Sequence, residues 1–109
     1  MATYSNIFID QGSDFAMTVD LTQSVGTLDL TGYTARGSIK KTYSSTTKVD
    51  FTINVDVTDT ELDISLSNSQ TGAMKAGRYV YDIEIVSSSS HVTRVLEGQL
   101  EITPRVTTG

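Results

Sequence analysis

The chain predicts an all-β protein, a sandwich of antiparallel sheets built from seven or eight short strands. Three observations carry this. Ser and Thr supply over a quarter of the 109 residues, with a single Pro and no Trp, a composition of strands and turns rather than helices. Apolar residues recur at every second position in segment after segment, the period of a half-buried strand. The run Ala76-Gly77-Arg78-Tyr79-Val80-Tyr81-Asp82 reads as a tight corner feeding a strand with aromatics on its inner face. A chain of this length buries about two-thirds of its unfolded surface, enough for one core without staples, so one domain over 1–109 is expected. A short N-terminal arm (1–5) and a C-terminal tail (104–109) flank it.

The elements follow in order. Asn6–Asp10 is a first strand around Ile7-Phe8-Ile9, ended by Asp10-Gln11-Gly12, with apolar residues facing both ways. Ser13–Leu21 alternates, with Phe15, Met17, Val19 and Leu21 on one face. Ser24-Val25-Gly26-Thr27 is a turn, and Leu28–Leu30 is either an eighth strand or the lead into the next. That next strand is Tyr33–Lys41, with Tyr33, Ala35 and Ile39 inward. Tyr43–Thr47 is a polar loop. Val49–Val57 is one strand carrying Val49, Phe51, Ile53, Val55 and Val57 on its inner face. It forms a hairpin with Glu61–Leu66, because Asp59-Thr60 supplies a short turn. Between Ser67 and Ala76 the period of two is lost. Ser67 or Asn68 caps one turn of helix over Ser69–Met74, Met74 packs on the core, and Gly77 stops the helix. Tyr79, Tyr81, Ile83 and Ile85 are the inner face of the following strand, and four serines (87–90) turn the chain. His91–Thr103 is last, with Val92, Arg94, Leu96, Leu100 and Ile102 in phase. Gly98 marks a bulge or a close backbone approach, and Pro104 ends the ladder.

The corner gives the sandwich its type. Immunoglobulin-like sandwiches place a Tyr near the start of a strand that enters after a sheet-to-sheet connection, and its hydroxyl anchors the corner. Gly77, Tyr79 and Tyr81 form this structural corner: Tyr79 is the anchor, and Tyr81 stands two residues on, where antibody domains carry a cysteine. With no Cys in the chain, an aromatic ring replaces the disulfide as core filler.

Charge and chemistry narrow the function. A formal charge of −5 and a pI near 4.5 argue against nucleic acid, whose phosphates need clustered Lys and Arg. The opening Met-Ala-Thr-Tyr-Ser has neither a basic region nor an apolar run, so no signal peptide is expected. No stretch approaches the ~20 apolar residues that span a bilayer, so no membrane partner is expected either. A nucleophile needs a base held by a third group, but the one histidine, His91, follows four serines at a hairpin tip; no catalytic residue and no enzyme activity is expected. In the acidic cluster Asp56, Asp59, Glu61 and Asp63, the last three are spaced by two, loosely like the first half of a calcium loop, but its Gly and its distal bidentate Glu are missing; they read as an outer acidic face, and no metal or other cofactor is assigned. Asp10 and Asp14 read as turn formers. Arg36, Lys40, Lys41 and Lys48 read as a solvated face, while Arg94 is in reach of Asp82 or Glu84. Of five tyrosines, Tyr33, Tyr79 and Tyr81 are in core phase, leaving Tyr4 and Tyr43 as interface anchors rather than a sugar platform.

Several runs resemble small β-sandwich proteins of tailed bacteriophages. They are Ile9-Asp10-Gln11-Gly12, Leu30-Thr31-Gly32-Tyr33-Thr34-Ala35-Arg36, the stretch Ala76–Ile85, Val92–Gly98 and Ile102-Thr103-Pro104, in that order. Together they are similar to the N-terminal domain of phage upper-baseplate proteins, which attach receptor-binding parts to the tail. The resemblance implies a non-enzymatic virion structural protein, assembled in the host cytoplasm and present in symmetric copies or as a homo-oligomer. Its partners would be other virion proteins at the tail, baseplate or neck. The same fold would also serve as a capsid decoration protein; a carbohydrate- or calcium-dependent adhesion module is the reading from another class. The partner-binding residues expected are Tyr4, Ile7 and Ile9 in the first segment, Tyr43 in the polar loop, and Arg105 and Val106 in the tail.

Overall fold

In a computed structural model the described residues are 3–21 and 30–106. The expected turn at Ser24–Thr27 and the strand option at Leu28–Asp29 lie outside them. The larger sheet holds β1 (Thr3–Tyr4), β2 (Ile7–Asp10), β4 (Thr34–Lys40), β5 (Val49–Asp50), β8 (Gly77–Val86) and β9 (Val92–Thr103). The smaller sheet is β3 (Phe15–Asp20), β7 (Glu61–Leu66) and β6 (Thr52–Asp56), in that spatial order. The two inner faces meet in one core that includes Leu21, Leu30, Ile39, Leu62, Ile64, Ile83, Ile85, Leu100 and Ile102. A two-sheet β-sandwich is thus the architecture, its strands dictated by the period of two.

Three departures from simple alternation position the surface. The first is the opening edge. β1 and β2 both run parallel to β9, and they hold one register, since Thr3 lies opposite Leu96 and Ile7 opposite Leu100. They are one edge strand interrupted at Ser5–Asn6, and the only parallel pairing among the described strands. The second is a sheet switch. The expected strand Val49–Val57 divides at Phe51: β5 pairs with β4, whereas β6 pairs with β7. The Phe51 N–H donates to the Gly37 carbonyl at 3.0 Å, and its buried ring meets the Tyr81 ring edge-on at 6.1 Å between centroids. Alternation carries no mark of the switch, because the inner face stays inner on both sides of the core.

The third departure is a bulge in β9. Ile83 lies opposite Leu96, but Glu84 lies opposite Arg94, so Val95 is the extra residue and both Val95 and Leu96 are buried. The bulge shifts the phase, which puts Arg94 and Val92 on the exposed side instead of in line with Leu96. Gly98, the expected alternative, is instead a close backbone approach: a Cβ there would overlap the Ser5 carbonyl.

The helix, α1 (Asn68–Ala73), is capped by Ser67, whose Oγ accepts from the Gln70 N–H at 3.2 Å while the Gln70 side chain accepts from the Ser67 N–H at 3.0 Å. It ends at Met74, before Gly77, and Met74 is buried as expected. Gly77 opens β8 at φ +139°, a conformation that side-chain-bearing residues avoid. Four residues after Lys75, the Tyr79 hydroxyl donates to the Lys75 carbonyl at 2.7 Å, closing the corner.

Candidate functional site

Two of the large hydrophobic residues exposed among the described residues, Tyr4 and Phe8, share the edge made by β1 and β2, while Tyr43, Val57, Val92 and Val106 are exposed elsewhere. Side chains of this edge alternate: Ile7 and Ile9 enter the core, at 7% and 2% exposure, whereas Tyr4 and Phe8 stand on the outer face at 62% and 68%. This corrects the assignment of Ile7 and Ile9 to partner binding. The inner side of the edge strand is needed to close the sandwich over Leu100 and Ile102, so the outward residue of the Ile-Phe-Ile run is Phe8. The run is apolar on both faces, so its pattern alone does not say which face is buried.

Beside the two rings the outer face carries paired charges. Phe8 adjoins Glu101, which Arg78 approaches at 3.6 Å. Tyr4 adjoins Glu97, and the Arg94 guanidinium contacts Glu97 at 3.6 Å and Asp82 at 3.5 Å, the expected Asp82 pairing. Glu84 is held instead by Arg36 at 2.9 Å. Exposed pairs like these contribute only ~0–1 kcal/mol each, but they set a mixed-charge surface beside the two rings. A depression of about 100 Å³ lies beside Phe8, lined by Asn6, Arg78, Gln99 and Glu101 among others.

Other expected contact residues are not gathered with this edge. Tyr43 is 78% exposed in the β4–β5 connection, at the opposite side of the larger sheet, over a depression it shares with Lys40, Lys48 and Val80. There Lys48 pairs with Asp50 at 3.3 Å, and hydrogen bonds from Ser38 and Lys48 hold the Asp50 carboxyl below the usual carboxylate range. Lys41 sits over the Tyr79 ring at 4.8 Å. Val106 is exposed, as expected. Arg105 is exposed as well, yet its guanidinium lies against Gly12 and its N–H donates to the Gln11 Oε1 at 3.4 Å.

The groups with chemical potential are dispersed. His91 is exposed at the hairpin tip, and its N–H donates to the Ser87 Oγ at 3.0 Å. Asp56, Asp59 and Glu61 bring carboxylate oxygens within 4.8 Å of one another. Partial burial, then the charges of Asp59, Asp56, Asp20 and Asp63, push the Glu61 carboxyl above its ordinary value. Asp63 is outside this group and accepts from the Thr18 hydroxyl at 3.2 Å, and Asp56 accepts from the Asp59 N–H at 3.1 Å. The two turn aspartates also bond at long range: Asp10 accepts from the Thr103 hydroxyl at 2.8 Å, and Asp14 from the Asn68 N–H at 2.8 Å at the start of α1.

No family model and no curated protein matches the chain. Among solved structures, the internalin-like protein lmo2027 of Listeria monocytogenes is similar over 95% of this chain, with a TM-score of 0.46 and 13% identity. This chain spans 28% of that protein's length. The sandwich assignment therefore rests on the strand order and pairing of the chain itself.

Proposed function

We propose that the protein is a non-enzymatic binding module of a tailed-phage particle, an adaptor or accessory part at the tail, baseplate or neck. The supporting observation is the pair of outward rings, Tyr4 and Phe8, on an open sheet edge beside a mixed-charge face. Exposed aromatics with a polar surround are the composition of protein-binding patches. The phage placement rests on the run-by-run resemblance to upper-baseplate N-terminal domains, and it carries with it the expectation of repeated, symmetric copies.

Copy number per purified virion, measured against the major capsid protein, tests the proposal. A few copies matching the symmetry of a tail or neck ring support it. A ratio near one per capsid subunit or capsomer makes the protein a head decoration instead. Absence from the particle overturns the virion reading and returns the adhesion module to the front.

A further inference from the structure

Among the described residues no strand pairs with the outer side of β2, and this edge carries its own specification of a partner. In the parallel pairing with β9, odd-numbered residues turn their backbone toward the sheet: the Ser5 N–H donates to the Glu97 carbonyl at 2.8 Å and the Gln11 N–H to the Thr103 carbonyl at 2.9 Å. Even-numbered residues, Asn6, Phe8 and Asp10, therefore aim their N–H and C=O groups away from the sheet, and of these the Asp10 carbonyl already accepts from the Ser13 N–H at 3.1 Å in the turn that ends the strand. Proteins blunt such edges with Lys, Pro or very short strands. The other edge of this sheet is blunted, since β5 is only two residues long. β2, at four residues, is longer than β5 and holds no Lys or Pro, and it presents an exposed Phe.

We propose that this edge pairs antiparallel with the same edge of a second copy, on a two-fold axis at Phe8. The inference rests on the reading of the chain as a binding module and names its partner. The register is self-complementary. Phe8 lies opposite Phe8, and Asn6 lies opposite Asp10 twice, so an amide donor meets a carboxylate acceptor on each side of the ring pair. Both residues are exposed, and both face outward with Phe8. A pairing centred one step later, on Asp10, sets two carboxylates against each other. One centred on Asn6 falls at the Ser5–Asn6 interruption, where the Asn6 Oδ1 accepts from the Gln99 N–H at 3.4 Å. A two-fold axis also closes the assembly, which a head-to-tail edge contact does not.

Sedimentation or light scattering of the purified chain across a concentration series tests this, with a thermal melt of each variant as the control for folding. The wild type is expected to dimerise. Phe8→Glu weakens the dimer through loss of the ring pair. Asn6→Asp keeps an acceptor for the Gln99 N–H but opposes two acids, and weakens association by about tenfold or more. The double variant Asn6→Asp with Asp10→Asn exchanges the partners and restores the dimer. A chain that stays monomeric, or a dimer indifferent to Phe8→Glu and Asn6→Asp, overturns the self-pairing. Incorporation of Phe8→Glu into particles separates the two readings. If the wild type is monomeric but the variant is excluded from particles, the self-pairing falls, the edge binds a different protein and the binding module stands; if the wild type is monomeric and the variant is incorporated unchanged, the self-pairing falls and the edge is not the particle contact.

Discussion

The Tyr81 hydroxyl donates a 2.6 Å hydrogen bond to the Ser5 carbonyl, across a span of 76 residues and past Gly98, which lies opposite Tyr81 in β9. In a regular parallel ladder the Ser5 carbonyl would accept from a backbone N–H of β9. Here the carbonyl turns over Gly98, where a Cβ would block it, and takes the phenol instead. The Gln99 N–H is met by the Asn6 side chain at 3.4 Å. Two side chains thus close the gap between β1 and β2, and the core residue that stands in the cysteine position also moors the exposed edge.

Tyr81→Phe should leave the ring packing on Phe51 intact and remove the mooring bond. A loss of about 1–2 kcal/mol is expected, because a partly buried carbonyl is left without its donor. Denaturant unfolding checks this, and hydrogen exchange should rise in residues 3–6 before it rises in β7.

The same residue sets an alkaline limit. Burial pushes the Tyr81 phenol up to about 12 from its ordinary 10.0. The protonated form is the one the fold favours, so its contribution is complete below pH 10 and is lost as pH rises from 10 toward 12. Stability measured over that window should fall for the wild type, and the fall should be shallower for Tyr81→Phe.

Gly98→Ala places a Cβ on the Ser5 carbonyl and should release the edge strand. The expected cost is roughly 1–3 kcal/mol, typical of backbone overpacking, with faster amide exchange confined at first to residues 3–10. A variant as stable as the wild type would show that the Ser5 carbonyl does not depend on this approach.

Glu61→Gln should raise the melting temperature at neutral pH. Glu61 has its carboxyl raised by partial burial and by the acids Asp59, Asp56, Asp20 and Asp63. A raised carboxyl favours folding when protonated, so the wild type loses that contribution as pH climbs through the folded value. Neutralising the residue removes the loss, and added salt should shrink the difference between the two proteins by screening the cluster. A melting temperature unchanged by both would dismiss the repulsion.

The corner can be checked independently of the edge. Tyr79→Phe deletes the 2.7 Å bond to the Lys75 carbonyl and should cost about 0.5–1.5 kcal/mol, while exchange at residues 3–10 stays as in the wild type.

Local rules in the sequence determined the strands, the inner faces, the capped turn at Ser67 and the role of Tyr79, because each depends on residues within a few positions of one another. Alternation in Leu62, Ile64 and Leu66 is readable without a partner strand. Only the tertiary structure decided that Ile7 and Ile9 belong to the core and Phe8 to the surface, since both faces of that strand are apolar and the choice falls to what lies beneath it. It also decided the sheet switch at Phe51, the extra residue at Val95 and the bond from Tyr81 to Ser5. These are long-range relations between backbones, and hydrophobic periodicity records which side of a strand is dry but not which strand stands beside it.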